Sequence, residues 1–230
     1  MKAPTQTKDS QTSILDAAEK AFADYGFDGA SLRHIVEEAK ANLATVYYHF
    51  GSKEGLMEAV FSRRFGPIHE EHFQMLRGLE TEYKGGAIPL EKLLEAMLMP
   101  PLRMATTPGK GETVMRLIGR VVTDPNPQVQ ELLRRQHRDV RPAYLDAFQR
   151  SVPRLPKADL LWRFEFVWGA FVFILCNPSR IEKITGGVCH PSDTDVLLGQ
   201  MIAVFSAGFR APAVSKSDRS PTRSATRRNA

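Results

Sequence analysis

The chain has 230 residues, 43 % hydrophobic and 25 % charged, enough to fill a sizeable core in one or two globular domains. Two cysteines, Cys176 and Cys189, without a CxxC pair argue against a disulfide framework or a structural zinc site, and no metal or other cofactor is expected. The formal charge of +5 is concentrated at one end: Lys216, Arg219, Arg223, Arg227 and Arg228 against Asp218 give the last twenty residues +4, so bulk charge alone does not mark a nucleic-acid binder.

No apolar segment follows Met1-Lys2-Ala3-Pro4-Thr5-Gln6. The longest apolar stretch, from Phe166 to Cys176, is about half of the roughly 20 residues that a membrane span needs. A cytoplasmic location without membrane contact is therefore expected.

Apolar residues recur at helical spacing along nearly the whole chain and no alternating β-branched run appears, which predicts an all-α protein. Residues 1–10 are read as a flexible start. A first helix is predicted over 11–25, with Ile14, Ala18, Phe22 and Tyr25 on one face and Gly26 ending it. Ser31 caps a short second helix that buries Leu32, Ile35, Val36 and Ala39. Asn42 caps a third over 43–50, with Leu43, Val46, Phe50 and part of Tyr47 inward. A fourth starts at Lys53, and Gly66-Pro67 should kink or interrupt it.

Further helices are predicted at 89–106, 111–122, 126–150, 157–176 and 193–209, with Pro100-Pro101 and Pro142 bending two of them. The reading divides the chain into a three-helix domain at 11–65, a larger helical domain at 66–210 and a disordered basic tail at 211–230.

The second and third helices, joined by Ala39-Lys40-Ala41-Asn42, form a helix-turn-helix pattern. Its solvent side carries Ala44, Thr45, Tyr48 and His49, which are small or hydrogen-bonding rather than charged. Such a face can settle against base edges, while the helix start at Ser52-Lys53-Glu54 aims backbone amides at a phosphate.

The run Ser31-Leu32-Arg33-His34-Ile35-Val36-Glu37-Glu38-Ala39, followed by Asn42-Leu43-Ala44-Thr45-Val46-Tyr47-Tyr48-His49-Phe50-Gly51-Ser52-Lys53-Glu54, resembles the DNA-binding domain of the TetR family of transcriptional regulators. The resemblance spans residues 12–61, with a kernel at Tyr47-x-His49-Phe50-x-Ser52-Lys53-Glu54. It implies phosphate contacts from Ser31, Tyr47, His49 and Lys53, and base-edge or groove contacts from Arg33, Ala44, Thr45 and Tyr48. Lys40 stands where the family usually has a turn glycine, which predicts a strained left-handed lysine, and Leu43 replaces a frequent basic residue. Two plainer roles stay open: Tyr47 as a core tyrosine and Arg33 as a solvated one.

The later helices agree in layout with the family's ligand-binding and dimerisation domain, and the C-terminal region is similar to members that sense fatty acids or their thioesters. The resemblance assigns the last two apolar helices to a dimer interface, here Trp162, Phe166, Phe173, Val196, Leu197, Met201, Val204 and Phe205. The cluster Trp162, Phe164, Phe166, Trp168, Phe171 and Phe173 is in any case wider than one helix stripe. Met97, Met104, Met115, Trp168 and Phe171 are read as lining an effector cavity, with Arg103 or Arg116 as polar anchor.

Other motifs have plainer readings. His69-Glu70-Glu71-His72 reads as a solvated helix face rather than a metal site, and Pro108-Gly109-Lys110-Gly111-Glu112-Thr113 as a loop rather than a phosphate loop. No nucleophile elbow or paired-carboxylate constellation appears, so no enzyme is expected. The reading that results is a homodimeric repressor that binds a palindromic operator in double-stranded DNA and is released by a small hydrophobic effector. Its rivals are a helical enzyme or carrier for a hydrophobic metabolite, and a nonspecific DNA-coating protein.

Overall fold

A computed structural model describes residues 5–107, 109 and 111–214. It is all-helical among the described residues: α1 (Thr5–Gly29), α2 (Leu32–Glu38), α3 (Leu43–Phe50), α4 (Lys53–Glu82), α5 (Leu90–Ala105), α6 (Gly111–Thr123), α7 (Pro127–Gln136), α8 (Val140–Ser151), α9 (Lys157–Cys176), α10 (Pro178–Ile184) and α11 (Thr194–Arg210). Residues 1–4 and 215–230, within the expected flexible start and basic tail, lie outside the described residues.

The helix starts and stops follow from local chemistry, with instructive departures. α1 begins at Thr5, earlier than expected, because nothing between Pro4 and Thr12 breaks a helix. Its regular path breaks at Gly26 (φ 73°, ψ −178°), after which one more turn runs to Gly29. α4 runs through Gly66 and Pro67 without interruption; its 30 residues extend over about 45 Å and link both ends of the molecule.

The helix expected over 126–150 is two, α7 and α8, separated by His137 to Asp139. Pro142 falls in the first turn of α8, where its missing amide breaks no helical hydrogen bond. α10 was not anticipated.

Two apolar cores divide the molecule. The first joins Ile14, Phe22, Ile35, Val46, Leu56 and Phe61 of α1 to α4, but continues through Phe65 and Ile68 to Leu117 and Val121 of α6 and Val129 and Leu132 of α7. The expected division at residue 65 is therefore not where this core ends. The second core holds Leu93, Met97, Tyr144, Phe148, Phe164 and Phe209 from α5, α8, α9 and α11. α11 packs on α5 and α9, and α1 is held between α4 and α6.

Charged groups reinforce that grip on α1. Glu19, 4 % exposed, accepts from Arg63 at 2.7 Å and from Arg64 at 2.6 Å, while Arg63 also reaches Asp16 at 2.7 Å. At the far end, Arg163 of α9 donates to the carbonyls of Gly208, Phe209, Ala211 and Pro212, and the amide of Val214 donates to Asp159. Residues 211–214 are thus pinned to α9, although the sequence offered them nothing to fold against.

Candidate nucleic-acid interface

The recognition element is built by caps and by one missing side chain. Asn42 precedes α3 in an extended conformation and its Oδ1 accepts from the amide of Thr45 at 2.9 Å and from its hydroxyl at 3.0 Å. Ser52 caps α4 in the same way, accepting from the amide of Gly55 at 3.1 Å. A Cβ on Gly55 would fall 2.0 Å from the carbonyl oxygen of Phe50, so only glycine lets the end of α3 sit this close to α4. Lys40 in the turn has φ 51°, the left-handed conformation expected there.

This frame buries Ile35, Val36 and Val46 and leaves one face of α3 open. Tyr48 is 82 % exposed and Tyr47 55 % exposed; Ala44 is exposed, and Thr45 and His49 are partly so. Tyr47 is not a core tyrosine. Ser31 and Arg33 are also exposed, and the Ser31 side chain makes no cap hydrogen bond, so its hydroxyl remains open to another acceptor. Lys53 folds back instead: its Nζ lies 4.8 Å from the centre of the Phe27 ring and 3.4 Å from the carbonyl oxygen of Asp28. The eight residues assigned to DNA contact thus fall between the start of α2 and the start of α4, with Lys53 turned toward α1.

The expected dimer residues divide. Trp162, Phe166, Phe173, Val196 and Val204 are 48 to 62 % exposed, and the Trp162 and Phe166 rings stack at 5.8 Å. Leu197 and Phe205 are half-buried against their own core. Met201 is a correction: at 4 % exposure it belongs to that core and offers nothing to a partner, because the helix turns it toward α5 and α9.

The expected effector residues divide as well. Met97, Met115 and Phe171 are buried in one core, with Met104 and Trp168 at its edge. Arg103 and Arg116 do not join them, which corrects their reading as anchors. Arg103 is exposed and paired with Glu71, and Arg116 reaches Asp24 at 3.3 Å and Glu112 at 3.6 Å. A groove of about 330 Å³ lies elsewhere, between α7 and the recognition unit, lined by Phe27, Glu54, Met57, Pro127, Val129, Leu132 and Arg135 among others. None of the expected effector residues borders it.

The solvated reading of His69 and His72 is also corrected. His72 is 3 % exposed, and its Nε2 lies 2.8 Å from the carbonyl oxygen of Met97. The i, i+3 spacing could not reveal this, because α5 and α8 cover that face of α4.

Residues 14–60 match the family described as bacterial regulatory proteins, tetR family, and residues 95–208 match the tetracyclin repressor-like C-terminal domain. The HTH-type transcriptional regulator UidR of Escherichia coli is 38 % identical over 134 residues, covering 52 % of this chain and 68 % of UidR. The chain belongs to the TetR family of transcriptional regulators.

Other relatives of this TetR-family chain agree in part. The A-factor receptor protein of Streptomyces griseus is 36 % identical over 59 residues, a stretch spanning 26 % of this chain and only 21 % of that receptor. Among solved structures, Salmonella enterica GusR covers 92 % of the chain and 99 % of its own at a TM-score of 0.56 and 17 % identity. NalD of Pseudomonas aeruginosa covers 88 % and 97 % at a TM-score of 0.62 and 19 % identity. These two share the fold. The family is one of DNA-binding regulators rather than enzymes, and no helix among the described residues is long and apolar enough to cross a membrane.

Proposed function

We propose that this TetR-family protein is a homodimeric repressor that reads a palindromic operator with α3 and is released by a small hydrophobic effector. The observation that carries the DNA reading is the exposed face of α3. Two large tyrosines stand in solvent beside Ala44 and Thr45, on a helix whose other side is locked by Val46, the Asn42 cap and the Gly55 contact. Tyrosines at 55 and 82 % exposure contribute little to the stability of an isolated chain, whereas their hydroxyls reach phosphates and bases once the helix enters a groove.

Ser31, Tyr47, His49 and Lys53 supply phosphate contacts, and Arg33, Ala44, Thr45 and Tyr48 supply groove contacts. In a two-fold dimer the paired α3 helices must stand about 34 to 36 Å apart to enter successive major grooves. The exposed apolar faces of α9 and α11 supply the pairing surface, with Trp162, Phe166 and Val204 as its centre. The effector is apolar, of fatty-acid or acyl-thioester type, and separates the methionine and aromatic side chains of the second core. It weakens DNA binding only by as much as it prefers the form that cannot bind DNA.

Selection of bound fragments from genomic DNA, followed by titration on the enriched site and on random duplex, tests the reading. A palindromic site bound at least a thousandfold more tightly than random duplex, in the range of specific recognition, is expected. Equal affinity for both would replace it with nonspecific coating.

A further inference from the structure

Three imidazoles meet where α4, α5, α7 and α8 converge. His69 Nε2 lies 3.3 Å from Nδ1 of His137, the residue that closes α7, and the His69 ring stacks on His72 with centroids 6.4 Å apart. His72 Nε2 points at the Met97 carbonyl of α5, which fixes its proton on that nitrogen and leaves a lone pair on Nδ1. That Nδ1 is buried with no hydrogen-bond partner among the described residues. Tyr144 of α8 closes the cluster, its ring edge-on to His72 and its hydroxyl bonded to the carbonyls of His72 and Ala96.

The charged groups around the cluster are Glu71 of α4, paired with Arg103 of α5; Arg138 and Asp139 of the α7–α8 connection; and Arg141 of α8, held by Glu165 of α9 at 2.5 Å. Asp139 alone favours a charged His69, while Arg141 opposes a charged His137. The cluster therefore packs as neutral rings.

This joint fastens a strap. α7 leaves the cluster, reaches Ser62 of α4 through Gln136 at 3.2 Å, and inserts Leu132 and Val129 into the core beneath the recognition unit. Asn126, at its far end, donates to Asp28 Oδ1 at 3.0 Å, next to the carbonyl that holds Lys53.

We propose that the His69–His72–His137 joint is a proton-operated latch: mild acid opens it, frees α7 from α4 and lowers the affinity of the recognition unit for DNA. Burial pushes His72 and His137 down to about 4 and also lowers His69, so the closed joint resists protonation. Once opened, each ring takes up a proton near its ordinary value of about 6.5. The sign follows: the closed form is fully favoured above about pH 6.5 and loses ground as the pH falls toward 4. Each of two such rings multiplies the open population about tenfold per pH unit in that window, or about a hundredfold for the pair between pH 7.5 and 5.5.

The last step rests on the DNA-binding reading, so the test reads α7 and DNA separately. Amide hydrogen exchange of the full-length protein without DNA, corrected for intrinsic rates, is measured at pH 7.5 and 5.5 and compared with the His69→Gln/His137→Gln double variant. The α7 amides of the wild type should lose about a hundredfold of protection, and those of the variant, in which only His72 can still charge, should lose only about tenfold. Operator affinity of the wild type should fall over the same interval and that of the variant should fall by clearly less. Equal protection at both pH values, or the same loss in the variant, overturns the latch. Loss of α7 protection with unchanged DNA affinity overturns its coupling to the recognition unit. A chain that binds DNA at neither pH overturns the DNA reading and leaves the exchange result to decide the latch. Should the double variant lose its helical circular dichroism at pH 7.5, His72→Gln, which preserves the donor to Met97, takes its place and should abolish roughly half of the effect on a logarithmic scale.

Discussion

Arg120 of α6 donates from Nε to the carbonyl oxygen of Ala23 at 2.8 Å and from Nη2 to that of Asp24 at 2.6 Å. Those carbonyls precede the break at Gly26, where the chain leaves helical geometry and the amides that follow no longer continue the ladder. One guanidinium of α6 thus supplies donors to the last regular turn of α1 and ties the second half of the chain to the recognition unit. Arg120→Ala should lower stability by about 1 kcal/mol, near the lower end for charged hydrogen bonds because the site is partly solvated, and Arg120→Lys should not restore it, having no fork to span both oxygens. Urea midpoints at constant m-value measure this.

Lys53, at the start of α4, sits on the Phe27 ring of α1, and a bound phosphate would compete for its ammonium. Lys53→Ala should weaken binding to operator and random duplex alike and reduce the slope of log affinity against log salt by about one. An unchanged slope in a salt titration would remove Lys53 from the phosphate contacts. Thr45→Ala, in contrast, should change preference among operator variants by about 1 to 3 kcal/mol at one base position.

The split among the apolar residues of α9 and α11 gives paired outcomes. Val204→Glu and Trp162→Glu charge side chains that are 62 % exposed, so helicity should persist while sedimentation reports monomers. Met201→Ala removes a core side chain at 4 % exposure, and should cost about 2 to 4 kcal/mol in chemical unfolding. Dimers that survive both glutamate variants would place the pairing surface elsewhere.

Lys40 holds a left-handed conformation in the turn of the helix-turn-helix. Lys40→Gly should raise stability by about 0.5 to 1 kcal/mol, the strain of a side chain at positive φ less the extra freedom glycine gains when unfolded. Thermal unfolding of the two proteins compares them directly.

Because residues 211–214 are clasped by Arg163 and Asp159, the informative truncation falls after Val214 rather than after Arg210. It should leave operator preference intact and lower affinity for random duplex only modestly at low salt, since it removes the clustered basic residues and keeps the clasp of residues 211–214 on α9. Filter binding on both duplexes decides it, and lost operator discrimination would make the tail part of the reading surface.

The recognition unit was legible because its determinants are local. Asn42 caps where it should, Gly26 and Lys40 turn where they should, and the face of α3 follows from helical period alone, although Ser31 precedes α2 without a side-chain cap bond. Side chains whose role depends on a distant helix were not legible. His72 has the spacing of a solvated pair, yet α5 and α8 bury it; Met201 shares a face with interface candidates, yet α5 and α9 claim it. Arg103 and Arg116 were assigned to a cavity as its polar anchor, yet Glu71 and Asp24, about 32 and 92 positions away, draw them elsewhere. Pro142 was overread: proline bends a helix interior but starts a helix easily, and only the break at His137 to Asp139 tells which applies.

The continuation of the first core into α6 and α7 bears on how regulators of this kind can be recombined. Leu117, Val121, Val129 and Leu132 are as deeply buried as Phe22 or Val60, yet they lie more than fifty residues beyond the start of α4. A chimera cut in the linker before α5 would carry the operator-reading residues but leave behind the floor on which they stand. The transplantable piece is discontinuous: residues 11–68 together with the matching faces of α6 and α7. Grafts that exchange both segments should keep the donor's operator choice, whereas grafts of the first segment alone would join two half-cores that never evolved to fit.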